Sequence, residues 1–202
     1  MKKRKAIQIS IAIIFLILIA IGKPQLWMAI FGISLLMSTY FGRFYCGYIC
    51  PINTGMELID DNATKNKRKR KSVPEALKKP WVRYGILVLF LATMIMVFKT
   101  GKKLPVLPAL FNLGIIITIF FKPELWHRYL CPYGTLLSFF SKFNKKSYMV
   151  FNEDCIKCGK CVRVCPSDAF LWEDKKDYPI IIKNECLMCG KCKEVCQTNS
   201  IK

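Results

Sequence analysis

The sequence predicts an α-helical membrane domain of four transmembrane helices, paired as two hairpins, followed by a small α+β domain rich in cysteine. Three observations predict it. Four apolar stretches alternate with basic runs, the basic runs sit directly beside the apolar ones, and most of the 11 cysteines crowd the end of the 202-residue chain. The net charge is +19, from 32 Lys+Arg against 13 Asp+Glu, yet residues 6–22 and 104–121 contain no charged side chain. That segregation excludes an ordinary soluble enzyme and a disordered basic tail.

The first span, about residues 6–22, follows Lys2, Lys3, Arg4 and Lys5. It lacks the small-x-small cleavage site of a signal peptide before Lys23 and Pro24. The second span, about 26–42, begins a few residues later, so the two read as a tight helical hairpin. The third and fourth spans, about 81–98 and 104–121, are joined by a turn at Gly101 to Lys103. All are short for a bilayer. Trp27, Trp81 and Trp126 fall at the predicted ends, where interfacial aromatics are expected.

The basic residues orient these helices. Four precede the first span, and the loop over 62–80 adds Lys65, Lys67, Arg68, Lys69, Arg70, Lys71, Lys78 and Lys79. The opposite turns hold only Lys23, then Lys99, Lys102 and Lys103. Positive charge collects on the cytoplasmic side. The expected topology is therefore multi-pass in the cell (inner or plasma) membrane, with both termini cytoplasmic. The lipid bilayer, with its anionic surface, accounts for the basicity without nucleic acid.

The domain break falls near 144, with 1–144 as the membrane domain and 145–202 as the cysteine-rich one. In the latter, Cys155-x2-Cys158-x2-Cys161-x3-Cys165-Pro166 is followed by Cys186-x2-Cys189-x2-Cys192-x3-Cys196. This is the spacing of a bacterial-type two-cluster ferredoxin domain, in which each fourth cysteine serves the other cluster. Cys155, Cys158, Cys161 and Cys196 are expected to hold one [4Fe-4S] cluster, and Cys165, Cys186, Cys189 and Cys192 the second. Thiolate is soft and electron-rich, as iron–sulfur ligation requires, and Gly159 and Gly190 let backbone come close. Disulfides do not suit cysteines so crowded on a cytoplasmic domain. Zinc sites usually separate their Cys-x2-Cys pairs by a longer loop. Ala169–Trp172 and Ile180–Ile182 read as short strands joined by a turn at Glu173–Asp177.

Three cysteines remain, and they fall in an internal repeat. Tyr45-Cys46-Gly47-Tyr48-Ile49-Cys50-Pro51 follows the second span, and Trp126-His127-Arg128-Tyr129-Leu130-Cys131-Pro132 follows the fourth. Both motifs fall on the cytoplasmic face. On an α-helix, residues four apart share a side, which would bring Cys46 with Cys50, and His127 with Cys131. These four make a candidate third iron–sulfur or metal site. Against it, buried free cysteine also behaves as a small hydrophobe, and His127 could sit among lipid headgroups. Neither a Gly-x-Gly-x-x-Gly nor a Walker pattern is present.

Gly42-Arg43-Phe44-Tyr45-Cys46-Gly47-Tyr48-Ile49-Cys50-Pro51, Arg128-Tyr129-Leu130-Cys131-Pro132 and the ferredoxin run together resemble the polyferredoxin-like membrane 4Fe-4S binding proteins. That family includes the NapH-type quinol dehydrogenase membrane component. The resemblance implies an electron carrier or quinol dehydrogenase subunit rather than a stand-alone enzyme. Electrons would pass between the quinone pool and a redox protein partner through two [4Fe-4S] clusters. The alternative is an assembly or regulatory redox factor for another metalloenzyme, without quinone turnover. His127 stands where the family pattern has a cysteine, a departure that bears on any four-thiolate site there. The large extracytoplasmic flavin-binding region of the nitrous-oxide regulators is not in this sequence, so that role is not expected.

Overall fold

A computed structural model describes residues 2–100, 105–151, 153–172 and 177–202. The turn expected at Gly101 to Lys103, with Leu104, lies outside the described residues, as does most of the turn expected at Glu173–Asp177. Packing divides the chain into two compact units, Met1–Cys50 with Leu137–Lys202, and Pro51–Leu136.

The first unit begins with α1 (Lys2–Ala20) and α2 (Pro24–Phe41). Gly22 stops α1 at φ +76°. Its N–H donates to the Ile19 carbonyl (3.0 Å), and the Lys23 N–H donates to Leu18 (3.0 Å). This pair of bonds is a Schellman ending, which needs a left-handed residue that glycine supplies cheaply. Pro24 then starts α2, where its missing N–H costs nothing. The helices pack through Phe15 against Trp27, edge to face at 4.9 Å. Their inward stripes include polar residues: Arg4 and Gln8 on α1, Ser34 and Ser38 on α2. Ile13, Leu16, Ile33 and Leu36 point outward and are exposed. Polar-in and apolar-out is the reverse of a water-soluble bundle and suits a surrounding lipid.

After α2 the chain makes a π-helical turn, Tyr45–Ile49. The unit resumes at the end of α6 (Pro132–Phe140) and continues into the cysteine-rich region. There β1 (Phe170–Leu171) pairs antiparallel with β2 (Ile180–Ile181), Phe170 opposite Ile181, as the strand pattern predicts. A second antiparallel pairing, Val150 with Ile201, ties residues 149–151 to 200–202. The core is small: Ala169, Phe170, Ile181, Cys186, Cys192 and Ile201.

The second unit contains α3 (Pro51–Lys65), α4 (Pro80–Thr100), α5 (Val106–Phe120), a second π-helical turn over Leu125–Leu130, and the start of α6. α3 and α5 approach closely at two glycines. A methyl group on Gly55 would meet Ile115 at 2.7 Å, and one on Gly114 would meet Ile52 at 2.8 Å. Val73, Leu125 and Tyr129 form a buried cluster beside this contact region. Pro24–Phe41 and Pro80–Val97 are long and apolar enough to cross a membrane; Val106–Phe120 is apolar but shorter.

Two expectations change. Trp27 and Trp126 are buried, 2% and 1% exposed, whereas Trp81 is 86% exposed. Burial is tolerable for Trp27 because its indole N–H donates to the Tyr45 hydroxyl at 3.0 Å. The Cys-Pro motifs are also not α-helical. Cys50 N–H donates five residues back to Tyr45 (2.8 Å), and Cys131 N–H to Trp126 (2.9 Å). The proline after each cysteine excludes the α conformation at the cysteine itself. Both cysteines are extended, at ψ 116° and 111°.

Candidate iron–sulfur sites

The eight ferredoxin-type cysteines line two cavities in the first unit. One is lined by Cys155, Cys158, Cys161 and Cys196, the other by Cys165, Cys186, Cys189 and Cys192. This is the crossed pairing the spacing predicts, with Cys196 and Cys165 each reaching into the other run's cavity. All eight are free thiols. The cavities are alike in size, about 370 and 320 Å³ including solvent at their mouths.

The backbone repeats with the same period. Lys157, Gly159 and Asp168 in the first run have positive φ (56°, 66° and 49°), as do Met188, Gly190 and Asn199 in the second (56°, 75° and 52°). Each glycine starts a short helix, α7 (Lys160–Arg163) or α8 (Lys191–Val195). Each also lies under an aromatic side chain. A Cβ on Gly159 would come within 2.4 Å of the Trp172 ring, and one on Gly190 within 3.3 Å of the Tyr148 hydroxyl. Trp172 is thus a packing residue, its indole N–H donating to the Asp177 carbonyl at 2.9 Å.

The donor set fits [4Fe-4S] clusters. Among the described residues, no three Cys, His, Asp or Glu side chains converge closely enough to share one metal ion. The four thiols of each cavity ring a wider space, as a cubane needs and a single tetrahedral zinc does not. Sulfur also receives hydrogen bonds: Ala169 N–H donates to Cys165 Sγ at 3.3 Å, and the Ser200 hydroxyl lies 3.2 Å from Cys196 Sγ. Such bonds are among the determinants of cluster potential.

The two cavities differ in burial. Cys186 and Cys192 are buried, while Cys158 is exposed. Burial pushes the Cys186 thiol up to about 12, and pushes Cys189, Cys192 and Cys161 upward as well. Thiolates in the inner cavity therefore need bound iron to offset lost hydration. Cys196 goes the other way, to about 7; burial raises it, but hydrogen bonds from Ser200 and Thr198 outweigh that.

The inner cavity is seated on the first Cys-Pro motif. Gly47 presses on the Leu187–Cys189 backbone so closely that a Cβ would lie 2.2 Å from the Leu187 carbonyl oxygen. Beside it, Arg43 Nη1 donates to Glu185 Oε2 at 3.0 Å, and the Ser138 hydroxyl donates to Glu185 Oε1 at 2.9 Å. Neither Gly47 nor Glu185 was marked by sequence, since each touches residues far away along the chain.

Cys46 is buried next to Arg43; burial raises its thiol, and the guanidinium partly opposes that. Cys50 is half-buried at the motif's end. His127 and Cys131 belong to the second unit. His127 is 5% exposed, which removes it from a headgroup position, and its N–H donates to the Pro123 carbonyl at 3.1 Å. Cys131 Sγ accepts from the Gly134 N–H at 3.3 Å.

Two family models match. A 4Fe-4S binding domain covers residues 24–72 and again 104–149, and a 4Fe-4S dicluster domain covers 154–200. The first match recurs on both halves of the helical region, each carrying one Cys-Pro motif. Among curated relatives, the methylamine utilization ferredoxin-type protein MauN of Methylorubrum extorquens is 27% identical over 170 residues, covering 71% of this chain and 55% of the relative. The ferredoxin-type protein NapH of Haemophilus influenzae is 25% identical over 187 residues, 67% of this chain and 64% of the relative. The uncharacterized protein MJ0750 of Methanocaldococcus jannaschii is 29% identical over 163 residues, 72% and 68%. The chain spans about half the length of most of the curated relatives it matches. No solved structure matches it. The protein is a polyferredoxin-like 4Fe-4S protein of the NapH type.

Proposed function

We propose that the protein is an electron carrier, or a quinol dehydrogenase subunit, linking the quinone pool to a redox protein partner through two [4Fe-4S] clusters. Cys155, Cys158, Cys161 and Cys196 hold one cluster; Cys165, Cys186, Cys189 and Cys192 hold the other. Bound there, the clusters supply one-electron chemistry at potentials set by their surroundings.

One observation carries the reading: the inner thiol cavity lies directly against the motif that ends α2, while Cys158 of the outer cavity is exposed. The chain thereby offers a buried site beside its apolar helices and an open site for a soluble partner. Its own residues position the first through Gly47 and Arg43, and leave the second accessible. The names of the relatives, which include ferredoxin-type and electron transport proteins, support the same reading.

In this proposal the helices make four spans, with both termini and residues 145–202 cytoplasmic. The exposed lysines and arginines over 65–71 then face anionic lipid, apart from Arg70, which bonds to Asp60. The test is quinol-dependent reduction of the purified, cluster-loaded protein. Reduction by a menaquinol or ubiquinol analogue is expected. No reduction by either would remove the quinone link and favour an assembly or regulatory role.

A further inference from the structure

By charge counting, Arg4 is one of four interchangeable basic residues ahead of the first span. The structure separates it from the others. Lys3 is exposed and Lys5 half-buried, but Arg4 is only 7% exposed. Its Nη1 donates to the Gly47 carbonyl oxygen at 3.4 Å. Gln8, one turn later on the same face of α1, donates to that oxygen from Nε2 at 2.9 Å.

Gly47 is where the inner cavity is approached most closely. A Cβ there would sit 3.3 Å from the Cys189 backbone nitrogen. Arg4 thus brings a fixed positive charge within one layer of backbone of a ligand cysteine. The counterpart of Cys189 in the repeat is Cys158, which is exposed to water. Arg4 bonds to the residue that seats the inner cavity, whereas the outer cavity has its own lysines, Lys157 and Lys160, in its lining.

We propose that Arg4, held by the Gly47 carbonyl it shares with Gln8, is a positioning residue that raises the reduction potential of the cluster on Cys165, Cys186, Cys189 and Cys192. The inference rests on the two-cluster reading above. Taking up one electron adds a negative charge to a site already anionic from four thiolates. Burial opposes that change, and a nearby guanidinium favours it. Net charge and outer contacts are established levers on cluster potential. Arg4 thereby makes the inner site easier to reduce than its burial alone would allow.

The test is an electron paramagnetic resonance titration of full-length protein in detergent, with dithionite as reductant. Iron and sulfide are measured on the same samples. Arg4→Gln is expected to lower one midpoint and leave the other in place. Gln8→Lys, which adds a cation on the same oxygen, is expected to raise that same midpoint. Should Arg4→Gln lose its iron, Gln8→Lys decides alone. Loaded variants with both midpoints unchanged, or with both shifted together, would overturn the inference. Wild-type protein with a single cluster would overturn the two-cluster reading, and the inference with it.

Discussion

Arg43 Nη1 lies 3.0 Å from Glu185 Oε2, and the two side chains are 0% and 6% exposed. The pair joins residues 142 positions apart, fastening the motif after α2 to the residue preceding Cys186. The Glu185 carbonyl also accepts from the Ser167 hydroxyl at 2.9 Å, so both loops of the inner cavity meet at this carboxylate's residue.

Breaking a buried pair from one side strands a charge, at a cost of about 3–5 kcal/mol. Arg43→Met is expected to destabilise the cysteine-rich region by that order, seen as earlier loss of cluster absorbance in denaturant. Arg43→Met with Glu185→Leu should recover much of it, because no charge is left unpaired. Equal stability of wild type and Arg43→Met would contradict a clamp.

Gly47→Ala is a sharper probe of the same seat. The added methyl would lie 2.2 Å from the Leu187 carbonyl oxygen, which is backbone and cannot turn aside. We expect about half the iron to be lost from a substitution well over a hundred residues away from the affected ligands. Full iron content in Gly47→Ala would show that the contact is not tight.

The two cavity glycines should differ. Gly159→Ala combines positive φ with a 2.4 Å collision against the Trp172 ring, whereas Gly190→Ala meets only the tip of Tyr148 at 3.3 Å. Positive φ alone costs a residue with Cβ roughly 1–2 kcal/mol. Gly159→Ala is therefore expected to retain less iron than Gly190→Ala, measured after equal purification. The opposite order would place the tighter packing on the wrong glycine.

Iron removal should unfold residues 150–202. Two of the six core residues, Cys186 and Cys192, are themselves thiols that line the inner cavity, and each strand of the hairpin is two residues long. So little core cannot hold two short pairings together. Hydrogen exchange on the full chain after chelation is expected to show protection lost there and retained in α1 and α2. Unchanged protection in 150–202 would mean the fold stands without metal.

Much of the site was legible because its rule is local. The cysteine spacing grouped the thiols that line each cavity, and short apolar runs placed α1, α2, α4 and α5 within a few residues. What was hidden depends on contacts across the chain. Arg4 counts as topology charge until Gly47 is found beside it. Gly47 looks like any glycine until Leu187 is pressed against it. α3 went unassigned although Ile52, Met56 and Ala63 recur at helical spacing along its buried side; it is too polar overall to stand out as an apolar run, and Asn53, Thr54 and Glu57 share its buried face. The π-helical turns were hidden by the i, i+4 spacing of Cys46 and Cys50, which mimics an α-helix.

The central claim is that eight crossed thiolates hold two [4Fe-4S] clusters. Iron and acid-labile sulfide per chain, in wild type and His127→Ala, test it most directly. The account predicts about eight of each in both proteins, since the two cavities use only the eight ferredoxin cysteines. About four of each, or zinc in place of iron, would contradict it. Iron above eight that falls in His127→Ala would assign further metal to the repeated Cys-Pro motifs.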